Sequence, residues 1–450
     1  MGQQTNTHFI FTRYEARLTE GTIDFHYTLQ TARNSYNFTE RLTILNVTKD
    51  VLRDVEKETL SGVLQMLHLV LGISYWKTYS PKKISIETYS LTRKQADFWN
   101  ILYTKGLGEF YYKNSIDFRK LLQFPFDDRL RPQLPRKSFM NRSLVLLGAG
   151  KDSIVTSELL AKSHKEFSLF TLNKHAIQSD VAGILGKPAM TVGRLIDPQL
   201  FQLNKEPQVY NGHIPITAIY MMVGVLSAVL FDYRYVISSN EESANYGNVR
   251  YLGEEVNHQW SKSFEFELLL QEYIKKYISP DLNCFSFLRP VKEIRVAEIF
   301  CNYPKFFEAF TSCNTNFKIA GIKPSTKWCG VCPKCAFVFL ILAAFLPKET
   351  VVTIFNKNLL SDISLLGLYK QLIGVEGFKP FECVGTPEES LYAFAMILKR
   401  GEFHDDIVIK TLLPSLTTLL NQKPLSAGFA RSASDHHNIP SEFISLLPAI

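Results

Sequence analysis

From residue 143 onward, short apolar runs alternate with stretches of helical periodicity. Residues 144–147, 167–172, 190–192 and 235–238 are the apolar runs, and helical stretches separate them. Runs that are apolar throughout, rather than at every second position, predict strands buried on both faces. That means a doubly wound parallel sheet of the α/β class. Ligands on such a sheet gather beyond the carboxyl ends of the strands. Here those ends carry residues 148–153, 173–175, Arg194 and residues 239–248.

Upstream of this rhythm, residues 22–29, 42–47 and 83–89 alternate in polarity around a helical stretch at 60–71, so residues 1–125 read as an N-terminal α+β domain. Pro125, Pro132 and Pro135 among Arg129, Arg131 and Arg136 predict an extended linker over 126–139. A nucleotide-binding and catalytic domain then covers 140–350, a helical C-terminal region 351–420, and a loose tail rich in Ser, Pro and His 421–450. Residues 214–231 are uncharged, close to the ~20 residues that span a bilayer. Pro215, Thr217 and Ser227 dilute that run, Asp232 and Arg234 close it, and a strand follows at once, so it reads as a buried helix. The apolar run at 336–346 is too short to span and reads as another.

Composition narrows the picture modestly. A chain of 450 residues with 46% hydrophobic content holds two or three domains. Its net charge of +7 favours anionic small molecules, while no long basic run argues for nucleic acid. Residues 1–20 intersperse charges and contain no apolar signal segment, so a cytoplasmic location is expected.

The most informative local feature is Gly148-Ala149-Gly150-Lys151-Asp152-Ser153, which follows the first apolar run where a helix would begin. Small residues let backbone N–H groups approach an anion, the helix start adds its positive dipole end, and Lys151 adds a mobile charge. A Walker A loop is excluded, because Val145 stands where its first glycine belongs and Asp152 where it needs Ser or Thr. The segment resembles the Ser-Gly-Gly-x-Asp-Ser loop of the ATP pyrophosphatase (PP-loop) superfamily. Members of that superfamily cleave ATP to AMP and pyrophosphate while activating a carboxyl or carbonyl oxygen. Gly148 replaces the first serine of that loop and Ala149 its first glycine.

Three polar clusters follow: Asn211-Gly212-His213, residues 239–245, and residues 257–263. Singly they read as a loop cap, an Asx-rich turn and a solvated helix start. Together, after a phosphate loop, they are a candidate site. In this order they resemble the UDP-N-acetyl-alpha-D-muramoyl-L-alanyl-L-glutamate epimerases (MurL type) over roughly residues 140–340. The resemblance implies ATP- and magnesium-dependent conversion of the terminal L-glutamate of that peptidoglycan precursor to D-glutamate. An acyl-adenylate spreads the charge left by Cα deprotonation better than a carboxylate does, which accounts for the ATP. The resemblance also implies phosphate and magnesium contacts from Gly148, Ala149, Gly150, Lys151, Asp152 and Ser153, with Asn173 bordering adenine. Asn211, Asn240, Glu241, Asn257, Trp260 and Ser261 would hold the substrate. The acid and base groups would come from His258, Glu242, Lys262 and His213, with His258 first because histidine titrates near neutrality. Arg289 and Arg295 offer forks suited to carboxylates and phosphates, and ordinary salt bridges are their other reading.

Cys329, Cys332 and Cys335 are spaced as metal ligands are, and Cys313 is the nearest upstream fourth. A structural zinc site held by four cysteines is the leading reading, beside an iron–sulfur cluster and metal-free thiols, one of them catalytic. PP-loop enzymes that make 7-cyano-7-deazaguanine or thiolate tRNA also pair the loop with a cysteine cluster and form the second functional reading. A non-catalytic nucleotide-binding scaffold is the third.

Overall fold

The computed structural model describes residues 7–130, 138–318, 323–426 and 428–447. Its strands are β1 (His8–Arg17), β2 (Thr22–Gln30), β3 (Ser35–Ile44), β4 (Lys83–Ile86), β5 (Ser143–Leu146), β6 (Phe167–Leu172), β7 (Ala189–Leu195), β8 (Tyr235–Ser238), β9 (Val249–Tyr251), β10 (Glu254–Val256) and β11 (Asn283–Ser286). Nine form one sheet in the order β11-β8-β5-β6-β7-β3-β2-β1-β4, and β9 and β10 form a separate hairpin. β11, β8, β5, β6 and β7 run parallel. β7 then meets β3 antiparallel, β2 and β1 continue antiparallel, and β4 lies parallel to β1 at the edge. The parallel sheet expected after residue 140 is present as the block β11-β8-β5-β6-β7, and the antiparallel N-terminal strands extend it into one mixed α/β sheet. Short turns join β1, β2 and β3, which only antiparallel neighbours permit.

Within the parallel block the first strand, β5, is central. The chain leaves it toward β6 and β7, then returns to its other side with β8 and β11. That reversal makes the carboxyl ends of β5 and β8 the switch point of the sheet, the place where ligands of doubly wound sheets bind. Alternate side chains of each strand serve two cores. Leu144 and Leu146 of β5, Phe170 and Val236 join the core under helices Lys57–Trp76, Ile216–Phe231 and Phe264–Tyr277. Val145, Leu147, Leu169 and Ile237 join the core under helices Lys151–Lys162, Glu293–Phe300, Pro333–Ala343 and Pro387–Arg400. Helix Lys57–Trp76 is long and apolar enough to cross a bilayer, yet 78% of that window is buried and it packs against Ile216–Phe231. It is the central helix of the first core.

The expected boundary near residue 125 does not part the sheet, because Arg41–Ile44 of β3 pairs with Val192–Leu195 of β7. At that seam Arg194 donates to buried Glu40 at 2.6 Å and to Ser74 at 3.2 Å. Pro132, Pro135, Arg131 and Arg136 of the expected linker lie outside the described residues. The C-terminal region is helical as expected, with Lys348–Phe355, Leu366–Leu372, Pro387–Arg400 and Ile407–Gln422. The described part of the expected loose tail is docked instead. Phe443 is 1% exposed with its ring 4.9 Å from that of Tyr235, and Glu442 accepts from the Tyr235 hydroxyl, because the outer face of β8 needs an apolar cover.

Candidate functional site

The loop after β5 leads into helix Lys151–Lys162 with Gly150 as its N-cap. Ala149 adopts φ 61, a left-handed conformation costing an L-residue roughly 1–2 kcal/mol, and such strain collects at functional loops. A Cβ added at Gly148 would meet nothing within 4 Å, so this side of the loop is open, whereas at Gly150 it would come 2.9 Å from Ser312 Oγ. Among the described residues no backbone carbonyl accepts from the N–H of Gly148, Ala149 or Gly150. The result is a row of free donors of the kind a phosphate takes. Ser153 turns inward and donates to the Gly150 carbonyl at 3.1 Å. Asn173 is exposed at the end of β6, its Oδ1 accepting from the Arg194 N–H at 2.5 Å.

Lys151 is fully buried, donates to Glu293 Oε1 at 2.8 Å and pairs with Asp152. Lys334 reaches the same Glu293 oxygen at 3.1 Å. Burial opposes the Lys151 charge, but the Asp152 and Glu293 carboxylates outweigh it and raise the pKa. Glu241, at the end of β8, is raised by burial and then by the charges of Glu293 and Asp152. Glu293 is 1% exposed, yet its Oε2 has no hydrogen-bond partner. Asp152, Glu241 and Glu293 crowd negative charge around the buried Lys151, and the orphaned Glu293 oxygen is an unsatisfied acceptor there. A cation bound at that point would relieve the repulsion between the carboxylates.

A second cluster joins the two halves of the chain. Glu109, on helix Gly108–Lys113, pairs with His258 Nδ1 and lies 3.5 Å from His213 Nδ1, while Lys113 holds its other oxygen at 2.5 Å. The two imidazole rings are 4.5 Å apart. Burial would lower the pKa of His258, but Cys383 and Glu109 outweigh it and push it up to about 9. Burial and the His258 charge bring His213 down to about 3. Burial opposes the charge on Glu109, and the hydrogen bond and charge of His258 hold it down at about 2. His258 therefore carries a proton at neutral pH and His213 does not. Lys262 Nζ lies 3.2 Å from Cys383 Sγ.

Of the four expected acid or base residues, His213, His258 and Lys262 converge and Glu242 does not. Glu242 turns away to Lys292 at 2.8 Å and lines a cavity of about 1040 Å³ shared with Asn245, Asn257, Trp260 and Lys105. Asn257 donates to the Ala244 carbonyl at 2.9 Å, Trp260 donates to Glu265 at 2.8 Å, and Asn240 donates to Ser238 at 3.2 Å. Ser261 is buried. Asn211 accepts from the buried Lys77 at 2.9 Å and so holds the loop bearing His213. Arg289 is 1% exposed and its guanidinium is taken by Glu267 at 2.9 Å and by the carbonyls of Glu241 and Lys262 at 3.1 and 2.6 Å. It braces two site segments. Arg295 pairs with Glu298 of its own helix at 2.7 Å.

Sequence reasoning missed Glu109, Glu293, Lys334 and Cys383. No spacing marks the first three. Cys383 carried a faint signal as the lone cysteine downstream of the cysteine cluster.

The sulfurs of Cys313, Cys329, Cys332 and Cys335 lie within 4.8 Å of one another, with those of Cys329 and Cys335 at 3.7 Å. Zn–S bonds of ~2.3 Å in a tetrahedron set sulfurs ~3.8 Å apart, so the donor set and its size fit zinc. Cys332 also caps helix Pro333–Ala343, which delivers Lys334 to Glu293. The cluster thereby positions the lysine that shares Glu293 with Lys151.

A MurL N-terminal domain model matches residues 1–287, running across the seam of the sheet, and a MurL C-terminal domain model matches residues 309–426. A UDP-N-acetyl-alpha-D-muramoyl-L-alanyl-L-glutamate epimerase of Xanthomonas oryzae pv. oryzae is 38% identical, covering 84% of this chain and 83% of its own. Proteins of the same name from a Micromonospora species and from Salinispora tropica are 35% and 36% identical, covering 98% and 91% of this chain and 97% and 88% of theirs.

Proposed function

The chain belongs to the MurL family, and on that premise we propose that it epimerises the terminal L-glutamate of UDP-N-acetylmuramoyl-L-alanyl-L-glutamate to D-glutamate. The reaction consumes ATP, passes through an acyl-adenylate and releases AMP and pyrophosphate, in the cytoplasm, for peptidoglycan precursor synthesis. The observation that carries this reading is the buried amino group of Lys151, tied to Asp152 and Glu293 beside an open loop at the switch point of the sheet.

In this reading the loop is a PP-loop. The N–H groups of residues 148–150 and the Lys151 ammonium bind the β and γ phosphates and stabilise the charge that grows on departing pyrophosphate. The terminal carboxylate attacks the α phosphorus. Asp152, Glu241 and Glu293 would hold magnesium, which would supply neutralisation of phosphate charge. The resulting mixed anhydride makes the neighbouring Cα–H acidic enough for a side chain to remove. His258, held as an imidazolium by Glu109, stabilises the enolate oxygen; an acid of the site then returns a proton to the opposite face of Cα, and water hydrolyses the mixed anhydride to the D-product and AMP. Cys313, Cys329, Cys332 and Cys335 would hold a structural zinc, and Cys332 caps the helix that carries Lys334.

The test incubates purified protein with ATP, magnesium and the UDP-muramoyl dipeptide, reading AMP, pyrophosphate and the chirality of glutamate after acid hydrolysis. Substrate-dependent AMP with D-glutamate is expected. Unchanged chirality and no AMP would overturn the reading.

A further inference from the structure

Epimerisation needs a base at Cα, and the histidine cluster does not supply a good one. His258 already carries its proton, and His213, brought down to about 3, is too weak. Cys383 stands between that cluster and the phosphate loop. It is half-buried on the segment leading into helix Pro387–Arg400. Lys262 donates to its sulfur at 3.2 Å, His258 touches it from a second side, and Lys334 adds a third positive charge. Lys262 in turn faces Glu241 and Asp152, so the thiol and the loop share one electrostatic centre. The orphaned Oε2 of fully buried Glu293 belongs to the same centre and marks it independently as a place that awaits a ligand.

We propose that Cys383 is the catalytic base of the epimerisation, its thiolate removing the Cα proton of the activated glutamyl group; the proposal rests on the function given above. The S–H bond forms as the Cα–H bond breaks, the electron pair passes into the enolate of the acyl-adenylate, and a second acid of the site delivers a proton to the opposite face. No electron is gained or lost overall. Burial alone would raise the thiol, but Lys262 and His258 outweigh it and bring Cys383 to about 5, so it is a thiolate at neutral pH. Cys284, enclosed by core residues, is pushed up by its burial instead. Two cationic donors on one sulfur are the environment of a reactive thiol.

Full-length Cys383→Ala and Cys383→Ser are assayed with ATP, magnesium and the UDP-muramoyl dipeptide in D2O, following AMP, glutamate chirality and deuterium at Cα. D-Glutamate formation is expected to fall ~10²–10⁴-fold while AMP release persists and the recovered glutamate stays L. Near wild-type D-glutamate overturns the proposal, as does loss of AMP release together with epimerisation from folded variants, which moves Cys383 to the activation step. Wild-type protein that epimerises without AMP would overturn the adenylate instead, and the chirality readout would still decide Cys383. Should both variants unfold, iodoacetamide on wild-type protein at about pH 6.5 is the second measurement, since thiolates alkylate and thiols do not. Cys383 alkylated ahead of Cys284 and Cys301, with parallel loss of D-glutamate, is expected. Cys383 left unmodified overturns the proposal.

Discussion

The carboxylate of Glu109 meets Nδ1 of His258 across 149 positions of sequence, fastening a helix of the N-terminal half to the polar segment beyond β10. The shifts are opposite, Glu109 down to about 2 and His258 up to about 9. A depressed carboxylate stabilises the fold above its usual 4.5 and loses that contribution as pH falls through about 2. A raised imidazole stabilises below its usual 6.5 and loses that contribution as pH rises through about 9. The pair thus contributes fully between 4.5 and 6.5 and fades on the alkaline side. Glu109→Gln should lower the His258 pKa part of the way, Cys383 keeping the remainder of the rise, as read by NMR titration of the imidazole, and should lessen the alkaline decline in stability. A His258 pKa that stays near 9 in the variant would sink the pairing.

Lys151 has no solvent to compensate for its removal. Lys151→Met should abolish substrate-dependent AMP release, a loss of at least ~10²-fold, because an oriented charge on the departing phosphates disappears. It should also lower stability, by less than the ~3–5 kcal/mol of a fully stranded buried charge, since Asp152 loses its lysine while Glu293 keeps Lys334. AMP release is measured in folded protein, confirmed by circular dichroism. Unchanged release would remove Lys151 from the phosphate site.

How much of this was legible in the sequence depends on whether the signal is local. β6 and β8 stand where their apolar runs end, because strands buried on both faces write themselves as continuous hydrophobic stretches. β11 escaped because Asn283 and Ser286 leave only Cys284 and Phe285 as its apolar run, and β1 because its apolar run at Phe9–Phe11 is three residues long and charged residues alternate after it. The β3–β7 pairing joins residues about 150 positions apart, and no local pattern encodes a register set by distant partners. The same division holds in the site. Gly148 to Ser153 and the Cys329, Cys332, Cys335 spacing are contiguous and stand out. Glu109, Glu293 and Cys383 arrive singly from separate helices and segments, so only folding assembles them. Arg289 misled in the opposite direction, since a buried brace and a ligand-binding fork look alike in sequence.

For the cysteine cluster, elemental analysis of purified protein should find zinc at one ion per chain. Cys313→Ser should release it, because a structural site needs all four ligands. AMP release should fall alongside, as loss of the metal loosens Cys332 and Cys335 at the start of helix Pro333–Ala343, which carries Lys334 to Glu293. Metal-free wild-type protein of full activity would refute the zinc reading.

The seam between β3 and β7 decides whether the two halves of the chain are thermodynamically one. Glu40 is completely buried, and its Oε1 is held by Arg194 at 2.6 Å. Removing one partner of such a pair strands a charge away from water and costs about 3–5 kcal/mol, whereas replacing both with apolar residues of similar volume is close to neutral. Glu40→Met alone and Arg194→Met alone should each lower the melting temperature clearly. The double variant should recover most of the loss, the departure from additivity expected of residues in contact. Because the strands on either side belong to one sheet, tryptophan fluorescence from Trp76 and Trp99 in the N-terminal half should melt together with far-ultraviolet circular dichroism of the whole chain. Two separated transitions, with the singles shifting only the first, would mean that the N-terminal strands fold as their own domain and that the seam is merely a contact.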